Sequence, residues 1–156
     1  MRASNALLCS AIVLTLAACG GGGDSGSPTG ADDGGSFRAT IDGQAWSAAQ
    51  TGAIRGEHVL SLAGATFPTQ ITISLAGVTA PGTYQLSGDS TSQAKASVLI
   101  GDRAWITAAA GGSGTVTITT LTPSRAAGTF SFDAVPFVPP ATGTKRVTAG
   151  QFDISF

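Results

Sequence analysis

The stretch GTFSFD at residues 128–133 decides the fold class of this chain. Its two phenylalanines, Phe130 and Phe132, stand two positions apart, and small polar side chains occupy the positions between and beside them. Because successive side chains of a β-strand point to opposite faces, this spacing predicts a strand with one buried face. A helix needs apolar residues at intervals of three and four, and that spacing is not found after the N-terminal segment.

The same alternation recurs in both directions from this stretch, and turn-forming pairs such as Asp42-Gly43 and Gly101-Asp102 separate the runs. The other alternating apolar positions are Phe37, Ala39 and Ile41; Ile71, Ile73 and Leu75; Val116 and Ile118; and Phe152, Ile154 and Phe156. The chain from residue 36 to residue 156 is therefore predicted to be a single all-β, antiparallel domain. A two-sheet β-sandwich is the favoured architecture, and a small closed calycin-like β-barrel is the alternative.

One-sided alternation also predicts the core, since a shift of the register by one residue would expose every apolar side chain. The residues expected in the core are Ile71, Ile73, Val116, Ile118, Phe130, Phe132, Phe152 and Ile154. Residues 137–144 follow Pro136 and contain Pro139 and Pro140, so we expect an exposed loop there instead of a strand.

Residues 1–18 have the composition of a secretory signal peptide. Arg2 precedes an apolar stretch from Ala6 to Ala18, which is shorter than the roughly 20 residues that a transmembrane helix needs. The stretch fits the apolar region of a secretory signal, which has about 7–15 residues and ends in small ones. Its ending, LAAC at residues 16–19, resembles the lipobox of bacterial lipoproteins. This resemblance implies cleavage before Cys19 and transfer of a diacylglyceryl group to its thiol.

Lipidation of Cys19 predicts attachment to a membrane, because two or three acyl chains on one residue anchor a protein firmly. Gly20 stands where retention in the inner membrane usually calls for Asp, so the outer membrane is the expected location, on its periplasmic or surface face. Cys9 leaves with the signal peptide. The mature chain then has no free thiol for a disulfide, a thiolate metal site or a nucleophile.

Residues 20–35 read GGGGDSGSPTGADDGG and contain no large apolar side chain. Such a composition cannot bury enough surface to fold, and Gly/Ser-rich segments behave as flexible coils. We therefore divide the chain into a signal peptide at residues 1–18, a lipidated cysteine with a Gly-rich flexible tether at residues 19–35, and a β-domain at residues 36–156. The tether has an expected r.m.s. reach of about 20–24 Å.

Composition narrows the possible functions. Only 11% of the 156 residues are charged, the net charge is −1 and the isoelectric point is near 5.6, so a nucleic-acid partner is not expected.

His58 is the one histidine and adjoins Glu57, the one glutamate, in a segment that predicts a hairpin turn and not a catalytic pair. We expect no enzyme activity, no metal and no cofactor. The membrane is the expected partner through Cys19, and a protein or glycan partner is left open.

The two tryptophans, Trp46 and Trp105, are the candidate binding residues, because exposed aromatic rings can form a platform for a sugar or a protein. Trp105 lies between Ala104 and Ile106 in a predicted strand, so packing in the core is the favoured interpretation for it and binding is the alternative. Trp46 follows a predicted turn and could cap one end of the core.

Short motifs in the domain indicate a family. Residues 37–46, FRATIDGQAW, fit F-x-A-x-[IV]-[DN]-G-x-x-[WF], while residues 128–132 read GTFSF and residues 150–152 read GQF. Together they resemble a family of small bacterial lipoproteins of unknown function, over Phe37 to Phe156. The resemblance implies an anchored β-domain in the cell envelope and supplies no catalytic residues. A non-catalytic binding or structural module is the favoured function; a small-ligand carrier with a barrel cavity and, last, an enzyme are the alternatives.

Overall fold

The computed structural model describes residues 35–89 and 92–156. The predicted signal peptide, Cys19 and the tether up to residue 34 lie outside the described residues, so they stay predictions. The described part contains eleven strands and no helix, which confirms the all-β prediction, and hence no helix long and apolar enough to cross a membrane. The strands are β1 (Ser36–Ile41), β2 (Gln44–Ser47), β3 (Gln50–Arg55), β4 (Val59–Thr66), β5 (Thr69–Ala76), β6 (Gly82–Ser87), β7 (Ala94–Ile100), β8 (Arg103–Ile106), β9 (Ser113–Thr122), β10 (Arg125–Val138) and β11 (Lys145–Ser155).

The strands pair into one mixed sheet in the order β2-β1-β11-β10-β9-β6-β7-β5-β4-β3. Neighbouring strands are antiparallel, as predicted, except β6 and β7, which are parallel and meet at the pair Leu86 and Ala94. Strand β8 lies off this path and pairs with both β7 and β10. Strands β6, β7, β8, β10 and β9 therefore form a closed circuit of paired strands.

The two ends of the sheet order, β2 and β3, are consecutive in the chain. Ala48 donates its backbone N–H to the carbonyl of Phe37 in β1, and Ala49 donates to the carbonyl of Ala65 in β4. Ala48 is thus bonded to β1 and the next residue, Ala49, is bonded to β4. This link brings the two ends of the sheet order together, so the sheet wraps around one core. A single wrapped sheet is compatible with both the sandwich and the barrel-like description.

The interior of this sheet is filled by the predicted core. All eight residues expected there are at most 4% exposed, which confirms the assignment. Phe156 does not continue the alternation: it is 38% exposed, because β11 ends at Ser155 and Phe156 lies past the last layer of the core.

The predicted loop at residues 137–144 begins later than expected. Strand β10 runs on to Val138, because β8 provides a partner strand in which Ala104 pairs with Val138. Phe137 and Val138 are nevertheless exposed, as predicted, and residues 139–144 form a loop. The pairing with β8 joins residues distant in sequence, so the local proline pattern did not predict it.

Phenylalanine rings in the core lie against glycines of the neighbouring strand. Gly128 in β10 pairs with Phe152 in β11, and Phe130 pairs with Gly150, so two Gly-x-Phe motifs face each other in antiparallel register. A Cβ atom at Gly150 would lie 2.6 Å from Cγ of Phe130, and one at Gly128 would lie 2.8 Å from Cζ of Phe152. Each ring therefore occupies space that only a glycine leaves open.

The direction of the strands shows at which end of the domain each turn lies. Strands β1, β4, β6, β7 and β10 run one way, and the other strands run the opposite way. What we call the upper end is formed by the turns at 42–43, 67–68 and 101–102 and by the loop at 139–144. What we call the lower end is formed by the turns at 56–58 and 123–124 and by Phe156.

Candidate binding surface

Large apolar side chains are exposed at the upper end of the domain. Phe67 is 97% exposed, Phe137 62% and Val138 43%, whereas the phenylalanines of the core are at most 4% exposed. Phe67, Pro68, Leu99 and Val138 form what we call the upper apolar surface. Large contiguous apolar areas on a soluble domain mark an interaction site.

Backbone pairing holds these residues side by side. Gly101, in the β7–β8 turn, donates its N–H to the carbonyl of Pro68 at 2.9 Å. Leu99 pairs with Ala104, and Ala104 pairs with Val138; paired residues point to the same face of a sheet. Since neighbouring strands lie about 4.8 Å apart, Leu99 and Val138 are about 10 Å apart on one face. The surface is therefore continuous across β7, β8 and β10.

A groove of about 400 Å³ opens beside Phe67. It is lined by apolar side chains, including Pro68 and Leu99, and by the amide side chains of Gln50 and Gln70; none of its lining residues is an acid or a base. The amides can donate and accept hydrogen bonds. The groove is therefore suited to hold an apolar group with a few hydrogen bonds and not to transfer protons.

Trp105 lies beneath this end of the domain and is only 3% exposed. Its Nε1–H donates to the carbonyl of Gly143 at 2.9 Å, and the Lys145 ammonium group lies 5.0 Å from its ring centroid. Lys145 Nζ also donates to Oδ2 of Asp42 at 2.6 Å. Trp105 thus holds the 139–144 loop in place. This geometry agrees with the core packing that the sequence favoured, and any binding role of Trp105 would be indirect.

Trp46, on β2, is half-buried and meets the ring of Phe37 edge-on, with centroids 6.1 Å apart. Its Nε1–H is buried and has no hydrogen-bond partner among the described residues. No ring contact joins Trp46 to Trp105 in the described part, so they form no shared platform. A binding role for Trp46 stays a prediction.

The titratable side chains singled out in the sequence lie in turns. His58 is in the turn between β3 and β4, with Nε2 3.9 Å from Oε1 of Glu57 and both side chains well exposed, as the predicted hairpin turn requires. Asp102 lies in the turn between β7 and β8, also as predicted. Residues 35–89 and 92–156 contain no group of three His, Cys, Asp or Glu side chains that could hold a metal ion.

The shifted pKa values in the domain come from ion pairs between strands. Arg125 donates hydrogen bonds of 2.7 and 2.6 Å to the carboxylate of Asp153, which lower the pKa of Asp153 and raise the pKa of Arg125. Burial raises the pKa of Asp42, but hydrogen bonds from Lys145 Nζ and the Arg146 backbone N–H outweigh it, so the pKa is lowered overall. These pairs stabilise strand contacts at the surface.

Sequence reasoning did not single out Phe67. The residues around it, TFPT at 66–69, combine a turn-forming proline with a large aromatic side chain. A residue at a hairpin tip has no facing strand to cover it, because turns run over the protein surface. An aromatic residue directly before a proline, between two alternating runs, is thus the signal that could have identified this surface.

The fold and the surface define a small all-β domain with an aromatic core and an exposed apolar end. The chain belongs to the family described as "Domain of unknown function (DUF6252)", whose model matches residues 33–153. This confirms membership of an uncharacterised family, as the motifs indicated. No curated protein and no solved structure matches the chain.

Proposed function

We propose that this chain is a lipid-anchored β-domain of the bacterial cell envelope, held at the outer membrane, which acts as a non-catalytic binding module through its upper apolar surface. The observation that carries the proposal is the 97% exposure of Phe67 beside an apolar groove. Covering a phenylalanine side chain completely favours association by about 2 kcal/mol. A partner with an apolar contact surface would obtain that energy from Phe67 alone, before any contact with its neighbours.

The anchor is supported by the sequence LAAC at residues 16–19 and by the Gly-rich segment that follows it. The chain enters the domain at Gly35, beside Ile154 of β11. A predicted tether with an r.m.s. reach of about 20–24 Å is long enough to lift the domain clear of the lipid headgroups, so the upper apolar surface stays accessible to a partner.

The core supports a binding module over a small-ligand carrier. The ring centroids of Phe37 and Phe130 are 5.0 Å apart, and those of Phe130 and Phe152 are 6.4 Å apart, so rings occupy the middle of the interior. A carrier needs an enclosed apolar space of about 300 Å³ or more. The groove beside Phe67 is large enough but opens at the surface.

The anchor is tested by substitution of the two cysteines separately. Cys19→Ala should release the protein from the membrane fraction, because it removes the thiol that receives the lipid. Cys9→Ala is the matched control, since Cys9 lies within the predicted signal peptide. Mass spectrometry should find a mature N-terminus at a diacylated or triacylated Cys19. An unmodified N-terminus at another residue would contradict the anchor.

The binding face is tested by a photo-crosslinking amino acid placed at position 67 in intact cells. A discrete crosslinked product should form there and should be absent when the crosslinker replaces Thr129, an exposed residue in the middle of β10. Leu99→Ser should weaken the product formed from position 67, because Leu99 lines the same groove as Phe67. Identical products from positions 67 and 129, or none from either, would contradict the assigned face.

A further inference from the structure

The lower end of the domain carries a second set of exposed apolar side chains, next to the point where the chain enters the domain. Gly35 packs closely against β11: a Cβ atom there would lie 2.7 Å from Cα of Ile154. The first described residue is thereby held beside the last strand, two residues from the chain end. The described part of the chain therefore begins close to the end of β11.

Ile54 and Val59 form one part of this set. Ile54 is 73% exposed and Val59 48%. Ile54 pairs with Ser61, and Val59 lies two residues before Ser61 on the same strand, so both side chains point to the outer face and are diagonal neighbours. They therefore present a joint apolar contact at the base of β3 and β4.

Phe156 and Arg55 form the other part. Phe156 is 38% exposed and lines a groove of about 470 Å³ together with Arg55, Gly56 and Pro123. The N–H of Gly56 donates to the carbonyl of Val59 at 2.8 Å, which places this groove next to the apolar pair. We call Ile54, Arg55, Val59 and Phe156 the lower surface.

Arg55 adds an anion-binding group to the lower surface. Its Nη1 donates to the carbonyl of Thr122, which holds the exposed guanidinium group across the groove. Among the described residues, no carboxylate lies within ion-pair distance of it. A guanidinium group has five N–H donors in a planar fork that matches phosphate oxygens. The remaining donors of Arg55 are thus free to bind a phosphate at the edge of an apolar area.

The chain enters the domain close to the lower surface. Gly35 lies against Ile154, two residues before Phe156. The predicted tether at residues 20–35 has an r.m.s. reach of about 20–24 Å. The lower surface can therefore meet the membrane without extension of the tether, which would cost conformational entropy.

We propose that the lower surface docks on the lipid bilayer, with Ile54, Val59 and Phe156 in the headgroup region and Arg55 on a lipid phosphate. Apolar side chains beside a cation are the combination with which peripheral proteins bind the membrane interface. The inference rests on the lipid anchor of the proposed function. It adds a fixed orientation, in which the upper apolar surface points away from the membrane.

The test uses the full lipidated chain in vesicles of phosphatidylethanolamine and phosphatidylglycerol with brominated acyl chains. Because Cys9 is removed and Cys19 is acylated, a new cysteine can carry an environment-sensitive fluorophore. Ser124→Cys reports on the lower end and Thr144→Cys on the upper end, and both positions are exposed. Bromine should quench the fluorophore at position 124 severalfold more than the one at position 144.

Variants of the lower surface then identify the contact. Ile54→Ser with Val59→Ser, and separately Arg55→Gln, should reduce quenching at position 124 while the protein still floats with the vesicles. Leu99→Ser, on the upper apolar surface, is the matched control and should change nothing. Equal quenching at both positions, or none at either in protein that floats, would overturn the docking. Loss of flotation with an unmodified Cys19 would instead refute the anchor, and the docking with it.

Discussion

Phe130 of β10 lies directly across from Gly150 of β11, where a Cβ atom would come within 2.6 Å of the Cγ atom of the ring. The same relationship holds with the strands exchanged, since Phe152 of β11 lies across from Gly128 of β10. The rings of Phe130 and Phe152 are stacked with centroids 6.4 Å apart. The two Gly-x-Phe motifs are therefore one structural unit, in which each glycine admits the aromatic ring of the other motif.

This relationship predicts that Gly150→Ala destabilises the domain. The added methyl group overlaps Phe130 in a packed core, where overpacking costs about 1–3 kcal/mol. Gly52→Ala is the matched control, because Gly52 is also in a strand but no atom lies within 4 Å of its added Cβ. Urea denaturation should show a lower midpoint for Gly150→Ala and almost none of that loss for Gly52→Ala. Equal midpoints for the two variants would contradict the assigned contact.

Substitution of Ala149, the residue before Gly150, should affect the stability of the domain in the opposite direction. Ala149 has φ of 50° at a β-bulge, a left-handed conformation that costs L-residues about 1–2 kcal/mol. Ala149→Gly should relieve this strain and leave the domain as stable as the parent or slightly more so, since the added freedom of the unfolded chain offsets part of the gain. Ala149→Val should destabilise it. Thermal unfolding of both variants measures the contrast, and a more stable valine variant would contradict the backbone assignment.

The two tryptophans should respond differently to the same substitution. Trp105→Phe removes the hydrogen bond from Nε1 to the Gly143 carbonyl, whereas Trp46→Phe removes an N–H that is buried without a partner. Trp105 is also the more deeply buried ring and has the Lys145 ammonium group over it, so the loss of packing acts in the same direction as the loss of the hydrogen bond. We expect Trp105→Phe to be less stable than Trp46→Phe by about 1 kcal/mol. Chemical denaturation of both measures this, and a larger loss for Trp46→Phe would contradict it.

The lowered pKa of Asp42 predicts a loss of stability in acid. A carboxylate whose folded pKa lies below its unfolded value, 3.8, stabilises the fold above that value. This stabilisation disappears as the pH falls through the lower folded pKa. Because Asp42 is 39% exposed, solvent screens the pair and the effect is small.

Asp42→Asn measures that contribution, because asparagine tolerates the left-handed conformation of Asp42, whose φ is 48°. The parent should be more stable than Asp42→Asn at pH 7, and the difference should vanish below pH 3.8 as the carboxyl group is protonated. Urea denaturation across this pH range follows the difference. A constant difference at all pH values would show that the carboxylate charge contributes nothing.

Much of the fold could be predicted from the sequence, as particular residues show. Phe130 and Phe132 alternate with polar neighbours, and both are buried. Asp42-Gly43 predicted a hairpin turn, and both residues have the positive φ that such a turn requires. The parallel contact of β6 with β7 and the partnership of β8 with β10 could not be predicted, because they join segments whose local patterns are independent of each other.

The candidate site was less accessible to sequence reasoning. The sequence favoured Trp46 and Trp105 because of their residue type, but Trp105 is enclosed by the core and by the loop that its Nε1–H holds. Phe67 belongs to the same chemical class and is 97% exposed. Composition does not distinguish a buried aromatic ring from an exposed one. Only the position of each ring relative to its neighbouring strands does.

The sequence by itself determined the class of fold and the side of each strand that is buried, because alternation with period two is a local property of the chain. It also contains the two Gly-x-Phe motifs, but only the structure showed that each glycine faces the ring of the other motif. Only the tertiary structure decided that the sheet wraps around one core and that Phe67 and Ile54 lie at opposite ends. Strand order and direction depend on contacts between distant segments, and those contacts exist only once the whole core is buried.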